Sequence, residues 1–300
     1  MELSRALPVE PCADELLRRV ADLVGETATA AVAFSGGADS ALALAACSRA
    51  LGPERTIAVT AVSPSLPPTE LTHAKATAAA LGVEHLTPDS NELARPGYAD
   101  NSPSRCFHCK TEVIEVVFRA VVSVDSASRG GGRQPIVVTG TNADDLASPY
   151  RPGIAAAARL GAVTPLAELT KAQVRAVSKY WGLPTWDKPA QACLASRIAY
   201  GVTVSADSLL RVQRAEAALR TEIGRLGWSV RDLRVRDLGQ DRARIELDAD
   251  LTAALAEQPR ASAVVLAAGF DEVEFDPRGF RSGSMNEALT SVEAIGGKGG

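Results

Sequence analysis

The six residues Ser35-Gly36-Gly37-Ala38-Asp39-Ser40 stand between an apolar run, residues 29–34, and a helix-like stretch from Ser40 to Leu51. A short apolar run that enters a glycine turn and then a helix reads as a buried parallel strand feeding a crossover. Two adjacent glycines let the backbone turn sharply and bring N–H groups close to an anion. Ser35 and Ser40 add hydroxyl donors, and the helix start adds the positive end of its dipole. Asp39 repels a phosphate, so its part is to bind Mg²⁺ or to cap the helix. The lysine-bearing Walker loop, GxxxxGK[ST], is absent. Taken alone, Gly-Gly-x-Asp is equally a plain strand–turn–helix junction.

The rest of the chain builds on that unit. Strand-like runs recur at 56–62, 84–86 and 135–139. Helical patterns occupy 12–24, 69–81, about 106–124 and 170–181, and Gly82 and Gly182 stop two of them. Strands alternating with helices predict an α/β fold, a parallel sheet with helices on both faces. Residues 88–105 read as a long loop, and 126–135 as a flexible surface connection. After residue 201 the pattern changes to a helix over 205–226, strand-like LRVRDLG and RARIELD, a helix over 251–268 and a strand over 273–276. This predicts a smaller α+β C-terminal domain at 201–286, following a first domain at 1–200 and preceding a flexible tail at 287–300.

Composition narrows the partners. A chain of 300 residues with 46% hydrophobic and 23% charged residues is not disordered, and with 4% aromatics its core must be Ala, Val and Leu. A net charge of −4 argues against nucleic acid as the main partner. No run of 18 apolar residues predicts a membrane span, and the N-terminus does not read as a secretory signal, so a cytoplasmic protein is expected. Five cysteines, odd in number and unevenly spread, argue against a disulfide framework. With only three histidines, a metal site would draw on sulfur or carboxylates.

A second element, Gly140-Thr141-Asn142-Ala143-Asp144-Asp145, follows a later strand. Open α/β sheets bind ligands beyond the carboxyl ends of their strands, where both elements fall. Asp144 and Asp145 are alternatively the N-terminal acids of a helix. The segment SGGADS resembles the signature of the PP-loop ATP pyrophosphatases, which cleave ATP between the α- and β-phosphates to adenylate an oxygen of their substrate. The second element is similar to one at the far edge of that family's nucleotide site. The resemblance implies an adenine nucleotide alpha hydrolase-like fold. It also implies ATP and Mg²⁺ bound through Ser35, Gly36, Gly37, Asp39, Ser40, Thr141, Asp144 and Asp145, with Mg²⁺ at Asp39.

Three more segments, Tyr150-Arg151-Pro152-Gly153, Ala192-Cys193-Leu194-Ala195-Ser196-Arg197 and the run from Gly279 to Asn286, resemble in this order the LarE family. The resemblance covers roughly residues 15–286. It implies an ATP-dependent sulfur transferase acting on pyridinium-3,5-biscarboxylic acid mononucleotide, toward the nickel-pincer nucleotide of lactate racemase. The chemistry is coherent: adenylation gives a carboxylate a good leaving group, and a sulfur nucleophile then displaces AMP. Cys193 matches the sulfur-donor position, and Lys188 and Arg197 would favour its thiolate.

Cys106-Phe107-His108-Cys109 is a CxxC: a redox pair, half a zinc site or two packing cysteines. With Cys193 it makes the three-cysteine set that resembles the [4Fe–4S]-bearing subtype of such enzymes, and the cluster is the favoured expectation over a sacrificial Cys193. Arg234 and Arg236 alternate in LRVRD, so a strand puts both on one face, either to bind the substrate phosphate or to meet solvent. Glu216 and Glu246 resemble family acids near the transfer step, with metal-binding or acid–base roles. Ser196, Arg197 and Arg281 complete the candidate substrate residues, and Arg281 shares its C-terminal segment with Ser282 and Ser284. The partners expected are a small nucleotide substrate, further copies of the chain in a homo-oligomer and transient contact with other nickel-pincer enzymes. A tRNA thiolase, an ammonia-dependent amide ligase and a nucleotide-sensing module without catalysis are the rival readings.

Overall fold

The computed structural model describes residues 9–128, 134–148, 151–189, 191–281 and 283–286. The expected tail at 287–300, most of the glycine-rich connection, Tyr150 and Ser282 lie outside the described residues. The chain divides into two compact units, one of residues 1–95 and 104–191, the other of 96–103 and 192–300. Among the described residues no helix is long and apolar enough to cross a membrane.

The first unit runs α1 (Val9–Val24), β1 (Thr29–Ala33), α2 (Ala38–Leu51), β2 (Thr56–Val59), α3 (Pro68–Ala80), β3 (Glu84–Leu86), α4 (Arg105–Ser128), β4 (Pro135–Val138), α5 (Ala143–Ala147), α6 (Pro152–Arg159) and α7 (Lys171–Tyr180). Its four strands are all parallel, in the order β3-β2-β1-β4. The small side chains of β1, TAAVA, are all buried. Ala30 and Val32 face a core shared with α1, α2 and α7, and Ala31 and Ala33 face a second core with α4 and α6. Helices therefore cover both faces, as the alternation of elements predicts. Helix α2 is buried nearly all round, with Ala41 through Cys47 fully covered. Each buried leucine there stabilises the fold by about 1.5–3 kcal/mol. Gly82 and Gly182 end α3 and α7 at positive φ, and the amides that follow, of Val83 and Leu183, return to the carbonyls of Ala78 and Ser178.

The second unit contains α8 (Ala206–Arg225), β5 (Leu233–Asp237), β6 (Arg242–Leu247), α9 (Ala249–Ala256), α10 (Pro259–Leu266) and β7 (Glu272–Phe275). Strands β5 and β6 pair antiparallel, and β7 joins β6 in parallel. One sequence expectation is corrected here. The single helix over 251–268 is two, because Pro259 lacks an amide to continue α9 and instead starts α10. Residues 96–103, within the expected long loop, belong to the second unit. Buried Asn101 donates from Nδ2 to the carbonyls of Ala199 (2.7 Å) and Val202 (2.9 Å), which fastens the segment into the second unit.

Candidate functional site

The phosphate loop joins β1 to α2. Gly36 takes φ 73°, and a Cβ there would meet Ala74 of α3 at 3.1 Å. Gly37 is the N-cap of α2 and no side chain caps the helix, so its first amides have no intrahelical acceptor and are available to an anion. The buried Ser40 hydroxyl closes the loop on itself. It donates to the Gly37 carbonyl at 3.1 Å, accepts from the Ser35 amide at 3.3 Å and lies 3.1 Å from Ser35 Oγ. Ser40 thus shapes the loop, while Ser35 is exposed.

The second element backs directly onto this loop. A Cβ on Gly140 would lie 2.7 Å from the Ser40 amide nitrogen and 2.8 Å from the Asp39 carbonyl carbon. Asn142 is fully buried, and its Nδ2 donates to Asp39 Oδ1 at 2.9 Å while its Oδ1 caps α5 through the Asp145 amide at 3.0 Å. Asn142 therefore aims the Asp39 carboxylate. Thr141 Oγ1 lies 3.3 Å from Thr139 Oγ1. Asp144 accepts the Lys171 amide at 2.6 Å at the start of α7, and Asp145 pairs with Arg151 at 2.8 Å. Both acids occupy helix-start positions in the first turn of α5, while Gly140 and Asn142 are the residues of this element that touch the loop.

A cleft in front of the loop is lined by Ser35, Gly37, Asp39, Glu70, Lys171, Arg175 and Lys188. The three cations make it a place for a polyanion. Lys188 donates to the Gly36 carbonyl at 3.0 Å and to Glu70 Oε2 at 2.8 Å. Sequence reading missed Lys171, Arg175 and Glu70 here and gave Lys188 a different part. They come from α3, from α7 and from the segment after it, and no local spacing joins them. Asn142 stands in the second element ahead of two acids, and no local pattern announces it as the partner of Asp39.

The second unit holds Cys193, Ser196, Arg197, Glu216, Arg234, Arg236, Glu246 and Arg281. Cys193 is exposed and opens a short 3-10 turn, Leu194–Arg197. Its carbonyl accepts from Ser196 Oγ at 2.7 Å and from Arg197 Nη1 at 3.1 Å. Arg197 is 1% exposed, and its guanidinium also reaches the Ala192 carbonyl and grips Glu216 of α8 through two hydrogen bonds of 2.8 and 3.2 Å. Glu216 accepts the Val235 amide as well. Arg236 is held by Glu246 at 2.7 Å and donates to the Ser196 carbonyl and to Ser284 Oγ.

Arg234 and Arg236 do share a face of β5, yet that face is buried, with the two residues 2% and 5% exposed. The Arg234 guanidinium lies over the Phe280 ring. Burial, with Arg197 and Arg236 close by, pulls its pKa down to about 10 against the opposing pull of Glu216. Such a crowded cation gains from an anion set beside it. Arg281 reaches the Gly279 carbonyl at 3.0 Å and Asp276 at 3.4 Å.

Cys106 and Cys109 lie one turn apart at the start of α4 in the first unit, the former exposed. None of the five cysteines is in a disulfide. Among the described residues no group of three or more His, Cys, Asp or Glu side chains is placed to hold a metal ion. The three-cysteine [4Fe–4S] expectation therefore finds no support in the donor sets of this structure. Cys47 is a core thiol, pushed up to about 12 by burial.

The sequence pattern of the NAD synthase family matches residues 14–197. An uncharacterised protein of Synechocystis sp. is 39% identical over 279 residues, covering 91% of this chain and 98% of its own length. The pyridinium-3,5-bisthiocarboxylic acid mononucleotide synthase of Lactiplantibacillus plantarum is 33% identical over 265 residues, covering 87% of this chain and 90% of its own. An NH(3)-dependent NAD(+) synthetase of Methanoregula boonei is 44% identical over a local stretch of 54 residues.

Proposed function

The chain belongs to the PP-loop family of the NAD synthases and, within it, to the LarE family, and on that premise we propose that it is an ATP-dependent sulfur transferase. Its substrate in this reading is pyridinium-3,5-biscarboxylic acid mononucleotide, and its product a thiocarboxylate. The observation that carries the ATP half is the side-chain-uncapped start of α2, closed by Ser40 and faced by Lys171, Arg175 and Lys188. The α2 amides and these cations receive the phosphate chain, and Asp39, aimed by Asn142, holds the Mg²⁺ that arrives with ATP.

A substrate carboxylate oxygen attacks the α-phosphorus, and pyrophosphate leaves. The Cys193 thiolate then attacks the acyl carbon and AMP leaves, which forms a thioester. Loss of a proton from Cys193 Cα with cleavage of its Cβ–S bond releases the thiocarboxylate and leaves dehydroalanine. Three features support Cys193 in this part: its exposure, the fixing of its carbonyl by Ser196 and Arg197, and its place in the segment that resembles the family's donor segment. Arg234 and Arg236 are the proposed partners of the substrate phosphate, with Glu216 holding the neighbouring Arg197 and Glu246 holding Arg236 itself.

The experiment is intact mass spectrometry of anaerobically prepared protein before and after incubation with ATP, Mg²⁺ and the pyridinium substrate. Thiocarboxylate product with loss of one H₂S from Cys193 is the expected result. Product without that loss, from protein that contains iron and acid-labile sulfide, would transfer the donor role to a cluster. Absence of both product and AMP would overturn the sulfur-transfer reading.

A further inference from the structure

We infer that Glu70 is a positioning residue for the phosphate chemistry, acting by holding Lys188 across the carbonyl of Gly36; this rests on the ATP reading of the loop given above. A lysine ammonium is a point charge on a flexible four-carbon stem, so its placement depends on what fixes its donors. Lys188 has two fixed, one on the Gly36 carbonyl at 3.0 Å and one on Glu70 Oε2 at 2.8 Å, and it lines the phosphate cleft. Its third N–H remains for a ligand there. The side chains of Lys188 and Glu70 are only 15% and 12% exposed, so solvent screens the pair weakly.

The geometry of α3 makes Glu70 the anchor. One helical turn after Glu70, Ala74 lies under Gly36, at 3.1–3.3 Å from where a Cβ would stand. Helix α3 therefore meets the loop twice, through Ala74 beneath Gly36 and through Glu70 by way of Lys188. The other acid of the cleft, Asp39, is engaged by Asn142. Lys171 and Arg175 line the same cleft and repel Lys188. Without the Glu70 carboxylate, Lys188 would lose both its anchor and its counter-charge, and the Gly36 carbonyl would lose its fixed donor. The second Glu70 oxygen faces exposed His73 at 3.7 Å, a contact too long to hold the carboxylate by itself.

The test is a double-mutant cycle on ligand affinity, which separates action through Lys188 from an independent structural role. Calorimetric affinity for Mg·α,β-methylene ATP is measured for wild type, Glu70→Gln, Lys188→Met and the double variant. Each single change is expected to weaken binding about tenfold, with the double variant no weaker than Lys188→Met. Glu70→Asp keeps the charge but withdraws it by one methylene, and is expected to behave like Glu70→Gln. Melting temperatures without ligand report whether each variant is folded. Multiplying losses, or a Glu70→Gln protein that binds like wild type, would overturn the role of Glu70 alone. A wild-type protein that does not bind the analogue would overturn the ATP reading and the inference with it.

Discussion

The phosphate loop and the arginine cluster of the second unit both offer positive charge, but they are built from different materials. The loop works with backbone: two glycines, an uncapped helix start and a serine that closes the turn. The cluster works with side chains, Arg197 on Glu216 and Arg236 on Glu246, brought together from a 3-10 turn, α8, β5 and β6. A backbone site tolerates no added atom where chains touch, whereas a side-chain lattice tolerates no unmatched charge. The two regions should therefore break under opposite kinds of substitution.

The largest effect is expected at Gly140, where the smallest substitution meets backbone. A Cβ there lies 2.7 Å from the Ser40 nitrogen, and neither main chain can give way without moving the loop. Gly140→Ala should lower ATP-dependent pyrophosphate release by about 100-fold or more, the scale at which ångström misplacement disables a site. The matched control is Gly161→Ala, with positive φ but nothing within 4 Å of the new Cβ. It should cost roughly 1 kcal/mol of stability and leave turnover alone. Equal turnover in the two variants would break the contrast.

Next comes the buried pair of the second unit. Arg236 and Glu246 side chains are 6% and 1% exposed. Arg236→Met strands a carboxylate and should cost about 3–5 kcal/mol in urea unfolding, while Arg236→Met with Glu246→Leu should recover much of that loss. Recovery is the sharper half of the test, because a packing defect would grow with the second change rather than shrink.

The same contrast explains what the sequence disclosed. The loop is contiguous, so SGGADS could be read as an anion loop before any fold was known, with GTNADD joined to it by family resemblance, and strand–helix alternation pointed to the α/β sheet. Lys171, Arg175 and Glu70 enter the cleft from other elements, and only tertiary packing joins them to it. Arg234 and Arg236 were legible as sharing a face but not as buried, since LRVRD alternates like a half-solvated strand. Burial on both faces came from the segment around Cys193 and from Phe280, whose return to β5 no local pattern announces.

Arg234 provides a smaller and opposite effect. Its pKa is pulled down to about 10 by burial and by Arg197 and Arg236, so its charge is a burden on the ligand-free fold. Arg234→Met replaces the guanidinium over Phe280 with a thioether, which also packs favourably on an aromatic ring, and should change stability by no more than about 1 kcal/mol. Inorganic phosphate should raise the melting temperature of the wild type by more than that of Arg234→Met, in which only the phosphate loop remains to bind it, because an anion that binds only the folded state stabilises it. Equal phosphate stabilisation of both proteins would remove Arg234 from the proposed phosphate partners.

The smallest effect concerns pH and returns to the loop side. His85 on β3 is half-buried, and its Nε2 lies 2.8 Å from Thr60 Oγ1, which donates to the carbonyl of Phe34, the residue before the loop. Since the threonine proton is used, Nε2 carries the imidazole proton and donates it. Burial and then Lys75 lower the His85 pKa below its ordinary 6.5. Below 6.5 the unfolded chain therefore binds more protons than the folded one, so stability rises with pH in that window. It is complete above the ordinary value and is lost as pH falls toward the lower folded one. Guanidiniums, the cations of the second unit's cluster, stay charged throughout this range. Unfolding free energy measured between about pH 8 and pH 5 should decline for the wild type and decline less for His85→Gln, which keeps an N–H donor for Thr60. Identical pH profiles for the two proteins would show that the acid sensitivity arises elsewhere and that the loop side is not the more pH-sensitive of the two regions.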